Sequence, residues 1–319
     1  MKCMRLFFSV VVCAFVNVAV GLAGDIALLE HAKFTPVDAL QATWVFSGIV
    51  TSENGEDFGY YFQLQRDNSH FHTSVALMDQ ASKKVLFHEE SDATLVDVAP
   101  YDWHVGRSFL KFNPINDSWI FGVKPDKNLG FNFKVDMLKQ FATTPSVHQL
   151  RSGVSMMVSQ TSELNGHILT GDSENEQFVT TKEAWFRQIW QKDEDNQSHS
   201  LTNVLCQFND GSRFYSVNLN ERDAQSGSLA GWYNAEGTRQ AMSQFVQVSR
   251  NKSGLWHIQS YTPRFDLVLS DAIEQHSVIA GFVEGKKNRG FCMLNKDRSS
   301  DSWHPTSVAQ SNESARKIA

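Results

Sequence analysis

Val204-Leu205-Cys206-Gln207-Phe208, Asn209-Asp210-Gly211 and Phe214-Tyr215-Ser216-Val217-Asn218-Leu219 follow one another closely in the second half of the chain. The two outer runs are rich in apolar and aromatic residues, and the middle one is a turn. An Asp-Gly pair between two such runs is a strong hairpin signal, because these residues accept the backbone angles of a tight turn. The stretch therefore predicts an antiparallel hairpin from Val204 to Leu219.

An earlier stretch has the same order of features. A run from Trp44 to Val50 is followed by the turn Asn54-Gly55 and then by the aromatic run Phe58 to Leu64. Further short apolar runs with turn residues between them continue along the chain, and no long amphipathic helical period separates them. Many short strands without helices are typical of an antiparallel sandwich or barrel. The repeated plan predicts an all-β protein with two domains.

Composition and charge limit the class of protein. The chain has 319 residues, of which 41% are hydrophobic and 20% are charged, and its formal net charge is -6. These proportions are typical of a globular protein that can bury one large core or two ordinary ones. A general nucleic-acid binder would carry a basic stripe, and the sequence has none. We therefore predict that no nucleic acid is a partner.

The first 23 residues have the layout of a secretory signal peptide. Lys2 and Arg5 precede an apolar run from Leu6 to Val20, and the small residues Gly21-Leu22-Ala23 follow it. The alternative is an uncleaved anchor, for which the run is short. The pattern predicts cleavage after Ala23 and an exported protein, periplasmic or extracellular, with no stable membrane span after cleavage.

Cleavage would leave two cysteines, Cys206 and Cys292. An oxidising compartment would permit a disulfide between them. Two buried free thiols are the alternative, because sequence does not show which residues are close in space.

Nine segments spread along the chain form an ordered set of motifs. They are Gly59 to Arg66, Phe71 to Asp79, His88-Glu89-Glu90, Ser159-Gln160-Thr161, Leu164-Asn165-Gly166, Glu183 to Trp190, Leu205 to Gly211, Trp256 with Tyr261-Thr262-Pro263, and Gly290-Phe291. In this order they resemble the motifs of the exported carotenoid hydratase family, whose members are CrtC-like or AttH-like. The resemblance covers most of the mature chain.

The resemblance implies two lipocalin-like antiparallel β-barrel domains in tandem. We expect an N-terminal domain over 24–160, a C-terminal domain over 161–300 and a polar tail over 301–319. It also implies an apolar cavity suited to a lipid or isoprenoid, since a small barrel can enclose one apolar ligand. The residues expected to line that cavity are Trp185, Arg187, Gln188, Trp190, Tyr215 and Trp256.

The chain departs from the family pattern at positions that matter for catalysis. Arg187 stands where the family has an Asp, and Gln191 replaces a Gly. Near the C-terminus, Ile279-Ala280-Gly281 replaces a Trp-Glu-Gly segment. Hydration of an alkene needs an acid that can protonate carbon, normally a buried carboxyl. The sequence therefore favours a protein that binds an apolar or amphipathic small molecule without catalysing a reaction.

Two other hypotheses stay open. The first is an enzyme acting on a lipid or isoprenoid, with Asp97, His104 or Asp210 as acid or base. The second is a structural or interaction module whose barrels are filled by side chains.

The sequence shows little that would hold a metal or a cofactor. His70 and His72 would share one face of a strand, as metal ligands can, but a third ligand is not evident. No phosphate-binding loop or dinucleotide fingerprint occurs either. We predict neither a metal site nor a cofactor.

Overall fold

The computed structural model describes residues 39, 41–96, 101–137, 147–161, 163–171, 176–191, 199–221, 224–236, 239–275, 277–286 and 288–298. Over these residues the regular elements are β-strands. None of the described residues forms a helix long and apolar enough to cross a membrane. The strands are β1 (Gln41–Ser52), β2 (Asp57–Asp67), β3 (His70–Asp79), β4 (Val85–Thr94), β5 (Asp102–Val105), β6 (Ser108–Asn113), β7 (Ser118–Asp126), β8 (Leu129–Asp136), β9 (Val147–Arg151), β10 (Val154–Gln160), β11 (Glu163–Thr170), β12 (Gln177–Thr181), β13 (Trp185–Gln191), β14 (His199–Phe208), β15 (Arg213–Glu221), β16 (Ala224–Tyr233), β17 (Arg239–Met242), β18 (Gln247–Arg250), β19 (Trp256–Tyr261), β20 (Arg264–Gln275), β21 (Val278–Glu284) and β22 (Arg289–Arg298).

Strands β1 to β13 form one antiparallel sheet, the first barrel. Its main path runs β4-β3-β2-β1-β12-β11-β8-β7-β6-β5, and β13 pairs with the other end of β1 and with β10. The two ends of the path meet, since Arg107 beside β6 forms an ion pair with Glu89 of β4. The sheet is therefore curled into a nearly closed barrel.

Strands β14 to β22 form the second antiparallel sheet, the second barrel, in the order β17-β16-β15-β14-β22-β21-β20-β19-β18. The predicted hairpin is confirmed as β14 and β15, with Gln207 opposite Arg213 across the turn. Cys206 of β14 and Cys292 of β22 lie opposite each other and form a disulfide. The choice between a disulfide and two free thiols is thus decided by the pairing of strands that are 86 residues apart.

The two barrels pack face to face, which divides the core into three apolar layers. One layer fills the first barrel, one fills the second barrel, and one, the inter-sheet layer, lies between them. On β1, Trp44 and Phe46 point into the first barrel while Val45 and Ile49 point into the inter-sheet layer. Both faces of this strand are buried, and this explains its nearly continuous apolar sequence.

Close approach of the barrels depends on a glycine in β2. A Cβ atom at Gly59 would overlap the ring of Phe291 in the second barrel, with the ring of Phe282 next to it. Nearby, the side-chain oxygen of Gln207 accepts a hydrogen bond of 3.0 Å from the Ile49 backbone N–H. The inter-sheet layer is therefore held by ring packing and by a direct hydrogen bond between the sheets.

The expected all-β fold of two lipocalin-like antiparallel barrels is confirmed. The domain division at 160 stays a prediction, and the change of sheet falls later, between Gln191 and His199. Strands β11 to β13 belong to the first barrel because they pair with β8 and β1. The proposed signal peptide (1–23) and the polar tail (301–319) lie outside the described residues.

Candidate functional site

The six residues expected to line one cavity lie in all three layers. Trp190 packs inside the first barrel, Trp185 and Tyr215 pack in the inter-sheet layer, and Trp256 packs inside the second barrel. All six are buried. Because the described residues of the set face different layers, their shared role as the lining of one cavity stays a prediction.

The alternating direction of the side chains along β13 explains why its residues face two different layers. Successive side chains of a strand point to opposite faces. Phe186 and Trp190 point into the first barrel, so Gln188 between them does as well. Trp185 and Ile189 point into the inter-sheet layer, and Arg187 between them shares that face. The indole N–H of Trp185 donates a hydrogen bond of 2.8 Å to the Cys206 carbonyl, which joins β13 to the second barrel.

On the inner face of the first barrel, a line of residues runs across neighbouring strands, and some of them carry polar groups. Thr73 is opposite Leu64, Leu64 is opposite Trp44, and Trp44 is opposite Gln188, which in turn faces Met157. Residues opposite each other on neighbouring strands share a face, and Leu64, Trp44 and Met157 pack in the interior. We call Thr73, Trp44 and Gln188 the polar row.

The polar row is buried, and part of its hydrogen-bonding capacity is unused. Thr73 and Trp44 are each 1% exposed and Gln188 is 0% exposed. Within the described part of the chain, the Thr73 hydroxyl, the Trp44 indole nitrogen and both amide atoms of Gln188 have no hydrogen-bond partner. Buried polar groups in proteins are normally paired, and an unpaired one costs about 1–3 kcal/mol. The row therefore offers neutral donors and acceptors in an apolar interior.

Aromatic rings surround the polar row. Trp103 lies 4.7 Å from Trp44 between ring centroids, and Phe71 and Tyr101 each lie 5.6 Å from Trp103. An apolar, aromatic wall with a few well-placed polar groups is the usual composition of a small-molecule site. Since the groups of the row are neutral, they suit a hydroxyl, carbonyl or ether rather than an ion.

Comparison with known proteins gives matches to solved structures. The chain matches no protein-family model and has no significant match among curated protein sequences. A protein assigned as AttH from Nitrosomonas europaea has a TM-score of 0.55 at 13% identity, over 81% of this chain and 93% of that one. Kievitone hydratase from Nectria haematococca has a TM-score of 0.53 at 12% identity, over 80% and 88%. CghA in complex with Sch210972 has a TM-score of 0.50 at 12% identity, over 81% and 88%.

The chain has an AttH-like fold. The resemblance drawn from the sequence motifs is thereby confirmed at the level of the fold. At 12–13% identity the likeness extends to the architecture and not to the ligand or the reaction.

Two of the acid and base residues considered from the sequence, His104 and Asp210, are not part of the polar row. His104 is exposed and lies 3.7 Å from Asp102, whose other oxygen pairs with Lys111 at 2.7 Å. One oxygen of Asp210 accepts hydrogen bonds from the backbone N–H (2.8 Å) and the hydroxyl (2.5 Å) of Ser212. That carboxylate stabilises the hairpin turn of the AttH-like fold. Asp97 lies outside the described residues.

The two histidines of β3 share a face but differ in environment. His70 is exposed, and its Nδ1 lies 3.1 Å from the Thr94 hydroxyl. His72 is buried, and its Nδ1 lies 2.9 Å from a carboxylate oxygen of Asp92. Over the described ranges, no three His, Cys, Asp or Glu residues are grouped in a way that could hold a metal ion.

Asp117, in the turn before β7, has a perturbed carboxyl. Partial burial raises its pKa from 3.8 to about 6. The backbone there is left-handed, with φ at 48°, a conformation that Asp and Asn both tolerate. The folded state thus binds a proton more tightly than the unfolded state between about pH 4 and pH 6.

We expect stability to fall as the pH rises through that window, because ionised Asp117 is disfavoured only in the folded state. Asp117→Asn should raise the free energy of unfolding by about 1 kcal/mol at pH 7, a figure reduced for solvent screening of a half-buried group. At pH 4 the variant and the wild type should be equal. Urea denaturation at both pH values measures the free energies of unfolding. If the variant were more stable than the wild type by the same amount at pH 4 and pH 7, the raised pKa of Asp117 would be contradicted.

The residues predicted from the sequence to line a cavity include Gln188 but neither Thr73 nor Trp44. The available signal was a polar residue on an otherwise apolar face of a strand, as Thr73 is between Phe71 and Val75 when every second residue is read. The pairing that brings Thr73, Trp44 and Gln188 into one row joins strands far apart in the chain.

Proposed function

We propose that this protein is exported and binds an amphipathic small molecule, a lipid or isoprenoid, inside the first barrel without catalysing a reaction. The observation that carries the proposal is the polar row, in which Thr73, Trp44 and Gln188 present unpaired neutral groups in an aromatic interior. The ligand would have a largely apolar body and one or two neutral polar groups. Tyr60, also inside this barrel, adds a hydroxyl that burial keeps protonated by raising its pKa.

Two further features support the proposal, the first its non-catalytic role and the second export. The position of the family's carboxyl residue is taken by Arg187, which is 2% exposed and faces the inter-sheet layer rather than the barrel interior. A guanidinium cannot protonate carbon, so hydratase chemistry like that named for kievitone hydratase lacks its acid at this position. The Cys206–Cys292 disulfide is of the kind that persists in oxidising compartments, which supports export.

A filled barrel is the second candidate, because part of the first barrel is densely stacked. Phe46 lies 4.1 Å from Phe121 and Phe131 lies 4.5 Å from Phe133, both between parallel rings. Rings at these distances leave no space between them. If the whole interior is packed in this way, the protein is a structural or interaction module.

Native mass spectrometry of the mature protein, followed by solvent extraction, tests these candidates. The binding proposal expects a bound lipid or, for empty protein, saturable uptake of the neutral polyene alcohol retinol. Empty protein that takes up no retinol would favour the filled barrel. The same spectrum gives the mass of the mature chain, and export predicts a start at residue 24.

The polar row gives a sharper test through Gln188→Met, which replaces the amide by an apolar side chain of similar length. Without ligand, the variant should be more stable by about 1–2 kcal/mol, because a buried unpaired amide is removed. Its affinity for retinol or the co-purified lipid should fall about tenfold, the effect of one lost hydrogen bond in a buried site. Urea denaturation and fluorescence titration measure the two quantities.

Ser216→Ala is the matched control. Ser216 is 3% exposed, its hydroxyl has no hydrogen-bond partner in the described part of the chain, and it lies on β15 between Phe214 and Asn218. Phe214 packs inside the second barrel, so Ser216 faces that barrel. Its replacement should leave ligand affinity unchanged. Unchanged affinity in Gln188→Met as well would remove the polar row from the binding site.

A further inference from the structure

A second group of buried residues lies outside the first barrel, around Arg213. This residue begins β15 directly after the hairpin turn, and Tyr215 and Val217 on the same face pack in the inter-sheet layer. The Arg213 side chain is only 3% exposed. A guanidinium is therefore placed between the two barrels.

The guanidinium uses one nitrogen and leaves one edge open. Nη1 forms an ion pair with a carboxylate oxygen of Glu183, in the segment before β13. Nε and Nη2 are buried and have no hydrogen-bond partner among the described residues. These two nitrogens form the edge of the guanidinium that binds a carboxylate side-on through two parallel hydrogen bonds. The open edge matches one planar carboxylate.

The charge on Arg213 remains in place at neutral pH. Burial lowers its pKa to about 10, which is still well above 7. A buried charge is costly unless it is paired and its donors are satisfied. Glu183 meets this demand only in part, because it contacts Nη1 alone and its own side chain is 40% exposed.

Aromatic rings border Arg213. Tyr233 is its direct cross-strand neighbour on β16. The Trp185 ring lies 5.8 Å from the Tyr215 ring and 5.6 Å from the Tyr233 ring. Tyr215 lies over Gly231, where a Cβ atom would overlap the Tyr215 ring, so this glycine is what lets the ring lie flat on β16. The indole N–H of Trp185 is already used by the Cys206 carbonyl. The rings thus offer mainly apolar surface next to the open edge.

From this geometry we propose a second binding site in the inter-sheet layer, where the Nε and Nη2 edge of Arg213 binds the carboxylate of an aromatic carboxylic acid and Trp185, Tyr215 and Tyr233 contact its ring. Glu183 beside Arg213 selects for a monoanion, since a phosphate-like dianion would be repelled more strongly. The more exposed Glu183 marks the side from which solvent and ligand reach the site. The site differs from the polar row in its layer and in the charge of its ligand.

Titration of the mature protein with 2-naphthoate and with its neutral analogue 2-naphthamide tests the proposal, by calorimetry or by tryptophan fluorescence. Naphthoate should bind, and the amide should bind about tenfold more weakly or not at all, because it cannot satisfy the charged edge. Equal affinities, or no naphthoate binding at millimolar concentration, would overturn the proposal.

Two conservative variants test whether Arg213 recognises the carboxylate, as distinct from supporting the fold. Arg213→Lys keeps the charge and loses the side-on edge, so naphthoate affinity should fall about tenfold. Glu183→Gln keeps an acceptor for Nη1 and removes the competing negative charge, so affinity should rise several-fold. Wild-type affinity in folded Arg213→Lys, or an unchanged or lower affinity in Glu183→Gln, would contradict the assignment. Gln188→Met should bind naphthoate like the wild type, since it alters a different layer.

Discussion

Replacement of both Cys206 and Cys292 by alanine is expected to lower the free energy of unfolding by about 4–5 kcal/mol. The disulfide closes a loop with a sequence separation of 86 residues, and the entropy of the unfolded chain falls with the length of the loop that is closed. Both cysteines are 0% exposed within the second barrel, so their removal also loses packing. Urea denaturation of the double variant and the wild type measures the difference.

A reducing agent supplies the control for the loss of the disulfide. It should destabilise the wild type and leave the double alanine variant unchanged, because the variant has no disulfide to reduce. If the wild type in the absence of reductant were no more stable than the variant, the disulfide would contribute nothing to folding. If the reducing agent also destabilised the double alanine variant, its effect on the protein would have a cause other than reduction of the disulfide.

Phe291→Ala is expected to cost about 3–5 kcal/mol, the usual range for removal of a buried aromatic side chain. Phe291 is 1% exposed in the inter-sheet layer, where its ring lies 5.5 Å from that of Phe282 and directly over Gly59. Gly59→Ala should also destabilise the protein, by about 1–3 kcal/mol, because the new methyl group overlaps the Phe291 ring.

A double-mutant cycle connects these two changes. In the Phe291→Ala background, Gly59→Ala should cost at least about 1 kcal/mol less than in the wild type, since the overlapping ring is gone. Phe265→Ala is the matched control, because Phe265 packs inside the second barrel and not between the sheets. Gly59→Ala and Phe265→Ala should add to within about 0.5 kcal/mol. Additive effects of Gly59→Ala and Phe291→Ala would mean that the barrels do not pack through this contact.

Local patterns predicted the strands and the fold class well. The Asn209-Asp210-Gly211 turn lies where its residues placed it, and Gly211 has the positive φ of 83° that such a turn favours. Here the deciding forces act between residues close in sequence, through turn geometry and the side-chain preferences of strands. The sequence motifs pointed to the AttH-like architecture for the same reason, since they mark strands and turns in a fixed order.

The candidate site was predicted only in part. Alternation along β13 follows from the sequence, so Trp185, Arg187 and Ile189 could be expected on one face, with Gln188 and Trp190 on the other. What each face packs against does not follow, because both faces of β13 are buried and each carries tryptophan or other large apolar side chains as well as a polar one. The sequence therefore did not assign Trp190 to the first barrel and Trp185 to the inter-sheet layer.

The amino-acid sequence by itself determined the all-β class, the central hairpin, the two-barrel plan and the two faces of each strand. The tertiary structure alone decided that Cys206 meets Cys292, that Thr73, Trp44 and Gln188 form one row, and that Arg213 lies opposite Tyr233, whose ring packs against Trp185. The physical reason is the distance along the chain over which each kind of interaction acts. Turn and strand preferences act over a few residues, whereas strand pairing and the stacking of two sheets join segments far apart in the chain and are settled by burial of the whole surface.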